Sequence, residues 1–126
     1  MARYDELDAY RLVYDTLLKT YRQIKAVPRE IRYTLLETLR NDMIEVLLLI
    51  TEANSRRDKT SSIKMARRTL QKVKLRFRLL KDLKNISDDL YGEFSEQMVL
   101  ASKQLAGWQR YAASHSNDTV DSSNMQ

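Results

Sequence analysis

Apolar residues recur every three or four positions along four stretches of this chain, and polar residues fill the intervening positions. This spacing places the apolar residues on one face of an α-helix. The pattern therefore predicts four helices, over about residues 5–26, 29–53, 62–84 and 88–112. In the second stretch additional leucines widen the apolar face, so we expect that helix to be covered on more than one side.

Each helix has its own set of residues expected to face a shared core. In the first they are Leu7, Tyr10, Tyr14, Leu17, Tyr21 and Ile24. In the second they are Ile31, Leu35, Leu39, Met43, Val46, Ile50 and Ala53, with Leu36, Leu47, Leu48 and Leu49 beside them. In the third they are Ile63, Ala66, Leu70, Val73, Phe77 and Leu80, and in the fourth Leu90, Phe94, Met98, Ala101, Leu105 and Trp108.

The breaks between the helices are short. Pro28 ends the first helix and suits the first position of the second. Thr60 or Ser61 is expected to cap the third helix and Ser87 the fourth, and Asn85 lies at the stop between these two. Short connections between helices of similar length predict an all-α, up-down-up-down four-helix bundle over residues 1–113. Residues 114–126 are rich in Ser, Asn and Asp, which predicts a disordered polar tail.

Positive charge is concentrated in one part of the chain. Residues 55–84 hold twelve of its 22 Lys and Arg residues and only two acids. Such clustering favours a polyanionic partner, and nucleic acid is the commonest one. Two alternatives remain: an ordinary solvated helix face, and pairing with acids of the second and fourth helices. The residues expected to bind nucleic acid or a polymerase are Arg56, Arg57, Lys59, Lys64, Arg67, Arg68, Lys72, Lys74, Arg76, Arg78 and Lys81.

The third helix also has apolar residues on the side opposite its core face. Leu75, Leu79 and Leu83 follow one another at four-residue spacing, next to the basic residues. A helix with only one covered face has no use for this second stripe, which predicts an interface between identical subunits. Single exposed leucines are nevertheless ordinary on protein surfaces.

Residues with catalytic or metal-binding potential are scarce. The chain has no Cys, its one His is His115 in the predicted tail, and no Glu-x-x-His pair suits a di-iron bundle. No glycine-rich phosphate loop is present. We therefore expect a non-enzymatic protein without metal or cofactor. The longest apolar run is too short to cross a membrane, and a cytoplasmic location is expected.

Several short stretches resemble the accessory variability proteins of diversity-generating retroelements. These proteins belong to a wider four-helix-bundle family that includes the proteins encoded by intervening sequences in 23S ribosomal RNA genes. The matching stretches lie in the same order and spacing across about residues 10–110. They are Val27-Pro28-Arg29, Arg32-Tyr33-Thr34-Leu35, Ile50-Thr51-Glu52-Ala53, Leu75-Arg76-Phe77-Arg78-Leu79-Leu80-Lys81-Asp82-Leu83 and Leu105-Ala106-Gly107-Trp108.

The resemblance implies a homopentameric ring with a basic surface. It also implies association with a reverse transcriptase and its template RNA, and possibly DNA, in support of mutagenic retrohoming. The alternative is a protein of the ribosomal intervening-sequence type, which would bind structured RNA without a polymerase partner. A third hypothesis is an interaction module whose basic face meets an acidic protein. For the homopentameric ring, light scattering should give a mass about five times 14.9 kDa.

Overall fold

The computed structural model describes residues 8–115, which form four helices and no strand. Helix α1 is Asp8–Gln23. Helix α2 starts as Arg29–Ile31, passes through a π-helical stretch at Arg32–Leu36, and continues as Glu37–Ser55. Helices α3 and α4 are Thr60–Asp82 and Asp88–Ser114. The predicted four-helix bundle is confirmed. The predicted tail beyond His115 and the predicted first residues of α1 lie outside the described part of the chain.

Cross-helix contacts show that the neighbouring helices run antiparallel. Arg67, near the start of α3, contacts Gln109 near the end of α4. Lys81, near the end of α3, contacts Tyr91 near the start of α4, so the two helices run in opposite directions. Asp8 and Lys19 of α1 likewise contact Gln104 and Glu93 of α4 respectively. Each helix packs against two others in the cyclic order α1, α2, α3, α4. This is the geometry of an up-down-up-down bundle, with α1 diagonally across from α3.

The core follows the predicted stripes of α2, α3 and α4 closely. All six predicted core residues of α3 are buried, and Phe77 packs against Phe94 of α4 with ring centroids 4.8 Å apart. The expected wider coverage of α2 is confirmed for Leu36, Leu47 and Leu49, which are buried, whereas Leu48 is exposed. Aliphatic side chains and two aromatic rings tilted by 35° to each other therefore form the core that stabilises the bundle.

The face of α1 that packs into the bundle differs from the prediction. Its buried residues are Ala9, Val13, Thr16 and Thr20, whereas Tyr14 and Tyr21 are 41% and 56% exposed. The threonine hydroxyls are hydrogen-bonded within α1, since those of Thr16 and Thr20 donate to the Leu12 and Leu17 carbonyls. The predicted packing of these two tyrosine rings in the core is wrong, because the smaller side chains occupy the buried positions. The rest of the predicted stripe does reach the core, since Ile24 is buried and Tyr10 and Leu17 are partly buried against it.

The helix starts show how side chains cap exposed amides. Ser87 caps α4 as predicted, because its hydroxyl accepts from the Leu90 amide at 3.0 Å. Helix α3 begins at Thr60, two residues earlier than predicted, so neither Thr60 nor Ser61 is its cap. Instead the Asp58 carboxylate accepts from the Thr60 amide at 3.1 Å. An aspartate at this place also complements the positive end of the helix dipole.

The end of α3 is a Schellman motif, with one residue in the left-handed conformation. The Asn85 amide donates to the Leu80 carbonyl, and the Lys84 amide donates to the Lys81 carbonyl. Lys84 has φ 62°. A residue with a Cβ atom is strained there, whereas glycine is not.

We expect Lys84→Gly to stabilise the fold by about 1 kcal/mol, because it removes the strain of the left-handed conformation. Thermal or urea unfolding at fixed protein concentration measures the change. The matched control is Lys72→Gly, at an exposed position inside α3, which should destabilise the fold by about 1 kcal/mol. Equal effects of the two substitutions would contradict the assignment of the helix end.

Candidate nucleic-acid interface

Three basic side chains form a row along the outer face of α3. Lys64, Arg68 and Lys72 are all exposed and lie four residues apart, which is about 6 Å per step along a helix. Within residues 8–115 none of the three makes an ion pair or hydrogen bond. Like charges at this spacing destabilise a helix slightly. We call these three residues the basic row.

Other predicted site residues pair with acids of the chain. Arg76 continues the basic row by one turn, but its Nη1 contacts the Asp42 carboxylate of α2, and both side chains are about three-quarters buried. Arg56 pairs with Glu52 at 2.5 Å. Asp82 lies 3.6 Å from the Arg78 guanidinium and 3.9 Å from the Lys81 ammonium. Pairing inside the bundle therefore accounts for part of the basic segment, and most clearly for Arg76.

Lys59 acts as a C-terminal cap for α2. Its Nζ donates to the carbonyl oxygens of Ala53, Asn54 and Arg56, at 2.9, 3.2 and 2.8 Å. Burial lowers the pKa of this ammonium group. A cation at the negative end of a helix stabilises it and satisfies carbonyls that have no partner in the helix. Arg57, nearby in the same loop, is exposed.

Arg67, Lys74 and Lys81 of the set face α4. The Arg67 guanidinium donates to the Gln109 side-chain oxygen at 2.6 Å, and the Lys81 ammonium lies 5.0 Å from the centre of the Tyr91 ring. Lys74 lines a small cavity of about 130 Å³ with Phe77, Tyr91, Ser95 and Met98. Burial, and to a smaller extent the charge of Arg67, lower the pKa of Lys74. This edge of α3 therefore carries a second group of basic residues, two of which contact uncharged side chains of α4.

The second leucine stripe of α3 is exposed in the single chain. Leu75, Leu79 and Leu83 are 59%, 41% and 54% exposed, next to the basic row. Burying a leucine side chain contributes about 1.5–3 kcal/mol. Three of them in register form a surface that a second subunit could cover.

Sequence reasoning missed a polar cleft between α1 and α2. Its aromatic residues, Tyr21 and Tyr33, are exposed, and Arg32 and Arg40 lie beside them. The signal was present in the alternative stripe of Ala9, Val13, Thr16 and Thr20, which has helical spacing and turns the tyrosines outward. Hydrophobicity favours the tyrosine stripe as the core face, because tyrosines are larger and more apolar than threonines.

Within residues 8–115, no helix combines the length and the apolar character that crossing a bilayer requires. The same residues contain no group of three His, Cys, Asp or Glu side chains placed to hold a metal ion.

No protein-family model matches this chain, and no curated protein matches it either.

Proposed function

We propose that this protein is a non-enzymatic nucleic-acid-binding subunit that contacts phosphates through the basic row of α3. The observation that carries the proposal is the lack of acidic partners for Lys64, Arg68 and Lys72 among residues 8–115. The three residues are held in order along one helix, whose opposite face is buried. Phosphate oxygens would replace the missing carboxylates and relieve the repulsion within the row.

The contacts available to this surface favour the nucleic-acid backbone over the bases. Lys and Arg side chains aligned on one exposed face suit successive phosphates, and phosphate contacts carry no sequence information. We therefore expect RNA and DNA to bind with little sequence preference. Arg76 is left out of the proposed phosphate contacts because Asp42 already neutralises it.

Fluorescence anisotropy with labelled RNA duplexes of unrelated sequence tests this function directly. The parent protein should bind them with similar affinity at low salt. If the three residues of the basic row neutralise about three phosphates, affinity should fall by about fortyfold between about 50 and 200 mM salt. Failure to bind any of the duplexes at low salt would rule the function out.

The resemblance to accessory variability proteins supports a more specific form of this proposal. In that form the protein associates with a reverse transcriptase and its template RNA and supports mutagenic retrohoming. The ribosomal intervening-sequence type remains the alternative, because the same basic row would suit structured RNA. A reverse transcriptase gene beside the coding gene, and co-purification of the two products, would separate the two forms.

We further propose that Leu75, Leu79 and Leu83 lie in an interface between identical subunits, with the pentameric ring as the expected assembly. Light scattering after size exclusion should give about five times the mass of one chain, which is 14.9 kDa. The double variant Leu75→Asp, Leu79→Asp should dissociate the assembly, because burying carboxylates at an apolar interface is costly. The control is Val99→Asp, at an exposed position of α4. A monomeric parent at micromolar concentration would contradict the proposed interface.

A further inference from the structure

A shallow cleft lies between the end of α1 and the beginning of α2, on residues that the basic row does not use. Its volume is about 350 Å³, and it is lined by Tyr21, Arg32, Tyr33, Glu37, Arg40 and Asn41. Small-molecule sites in proteins typically have volumes of about 300–1,000 Å³. The lining combines two cations, two aromatic rings and two side chains that can hydrogen-bond with a planar ligand.

Arg40 is positioned at this cleft by α1. Its Nη2 donates to the Thr20 carbonyl at 2.7 Å and its Nε to the Thr20 hydroxyl at 3.2 Å. The guanidinium lies over the Tyr21 ring, 4.0 Å from the ring centre. Burial lowers the pKa of Arg40, and the charge of Arg32 lowers it further, although Tyr21 opposes the shift.

The two arginines of the cleft have no acidic partner in the described part of the chain. Arg32 donates through Nη2 to the Val27 carbonyl at 3.3 Å, and neither guanidinium makes an ion pair with any of residues 8–115. Arg40 uses two of its five N–H groups on Thr20, which leaves donors for an anion. Two positive groups held close together favour a phosphate, which guanidinium binds with two parallel hydrogen bonds.

The tyrosines supply flat apolar surface next to these cations. Tyr21 and Tyr33 are 56% and 60% exposed, and Arg29 lies 5.8 Å from the centre of the Tyr33 ring. Exposed aromatic rings beside guanidinium groups are the usual stacking surface for unpaired bases. Glu37 and Asn41 match base edges, because a carboxylate accepts from an exocyclic amine and an amide both donates and accepts.

The backbone of α2 is also irregular at this place. The Glu37 amide donates to the Arg32 carbonyl, five residues back, so that Arg32–Leu36 is π-helical. Single π-helical turns inside α-helices occur frequently at functional sites. Three of the residues that line the cleft, Arg32, Tyr33 and Glu37, lie in or next to this turn.

From these observations we propose that the α1–α2 cleft binds an unpaired nucleotide of single-stranded nucleic acid, with the base stacked on Tyr33, because Arg40 already covers one face of the Tyr21 ring, and with its phosphate on Arg32 and Arg40. The inference goes beyond the proposed function and does not depend on it, because it uses none of the residues of α3. A duplex cannot present an unstacked base, so the cleft distinguishes single strands from duplexes. The basic row does not make that distinction.

The test compares a short single-stranded RNA without self-complementarity with a duplex of the same sequence, both fluorescently labelled. Tyr33→Ala should weaken binding of the single strand about tenfold, because one base loses its stacking partner. Binding of the duplex should stay within about twofold of the parent. Tyr33→Phe keeps the ring and should bind both RNAs as the parent does. Tyr33 is largely exposed, so these variants should fold normally, and their melting temperatures check this.

The matched control is Tyr14→Ala, which removes an exposed tyrosine of α1 outside the cleft and should leave both affinities unchanged. If Tyr33→Ala binds the single strand as tightly as the parent, or loses affinity equally for strand and duplex, the cleft does not bind an unpaired nucleotide. Substitution of the basic row should instead weaken the binding of both the single strand and the duplex. The two proposals can therefore fail separately.

Discussion

Replacing Lys64, Arg68 and Lys72 together by Glu should lower the affinity for duplex RNA on the order of a hundredfold at low salt. The change removes three phosphate contacts and adds repulsion at the same positions. Glutamate is a good helix former, so α3 should persist. The three side chains are exposed and have no partner among residues 8–115, so the melting temperature should change little. Anisotropy with labelled duplex RNA and a thermal melt measure the two quantities.

The control for this variant has the same change in net charge at another place. Arg11, Arg22 and Lys25 are exposed on α1 or just after it, and α1 lies diagonally across the bundle from α3. Their triple substitution by Glu should lower RNA affinity only a fewfold, because it weakens the positive electrostatic potential of the whole protein. Equal losses in the two variants would show that net charge, and not the basic row, governs binding.

Phe77→Ala should destabilise the bundle by about 3–5 kcal/mol, the largest stability effect that we expect from one substitution. The Phe77 side chain is 1% exposed and packs against Phe94 of α4. Its removal leaves a cavity between α3 and α4 that rigid helices fill only in part. Urea unfolding at fixed protein concentration measures the loss, since association with other subunits would add to the apparent stability.

The control for Phe77→Ala is Val99→Ala on α4. Val99 is 39% exposed, so its truncation should change the free energy of unfolding by no more than about 0.5 kcal/mol. Phe77→Leu, which keeps an apolar side chain of similar length, should give an intermediate loss. A Phe77→Ala protein as stable as the parent would contradict the position of this ring in the core.

The sequence was sufficient to predict the bundle because α2, α3 and α4 each have one apolar stripe that runs along most of the helix, whereas the second stripe of α3 covers only its last turns. In α3 the spacing from Ile63 to Leu80 admits one core face, and the structure buries that face. Helix α1 offers two stripes, one of tyrosines and one of small residues, and hydrophobicity alone favours the larger rings. The structure buries the small residues instead, because threonines whose hydroxyls donate to carbonyls of their own helix leave no unsatisfied polar group in the core.

The candidate site was predictable as a region but not residue by residue. Clustering of Lys and Arg marks α3, yet the sequence does not show that Asp42 of α2 reaches Arg76 or that Lys59 caps α2. These pairings depend on the register between helices, which periodicity does not fix. The α1–α2 cleft was missed for the same reason, since its lining comes from two helices and a π-helical turn.

The most direct test of whether the basic row binds phosphates is the salt dependence of duplex RNA binding. It is measured for the parent and for the triple variant Lys64→Glu, Arg68→Glu, Lys72→Glu. Each lysine or arginine that contacts a phosphate adds about one to the slope of log K against log salt. The parent slope should therefore be steeper than the variant slope by about three. Parallel slopes would show that these residues do not contact phosphates, and the assignment of the α3 surface would be wrong.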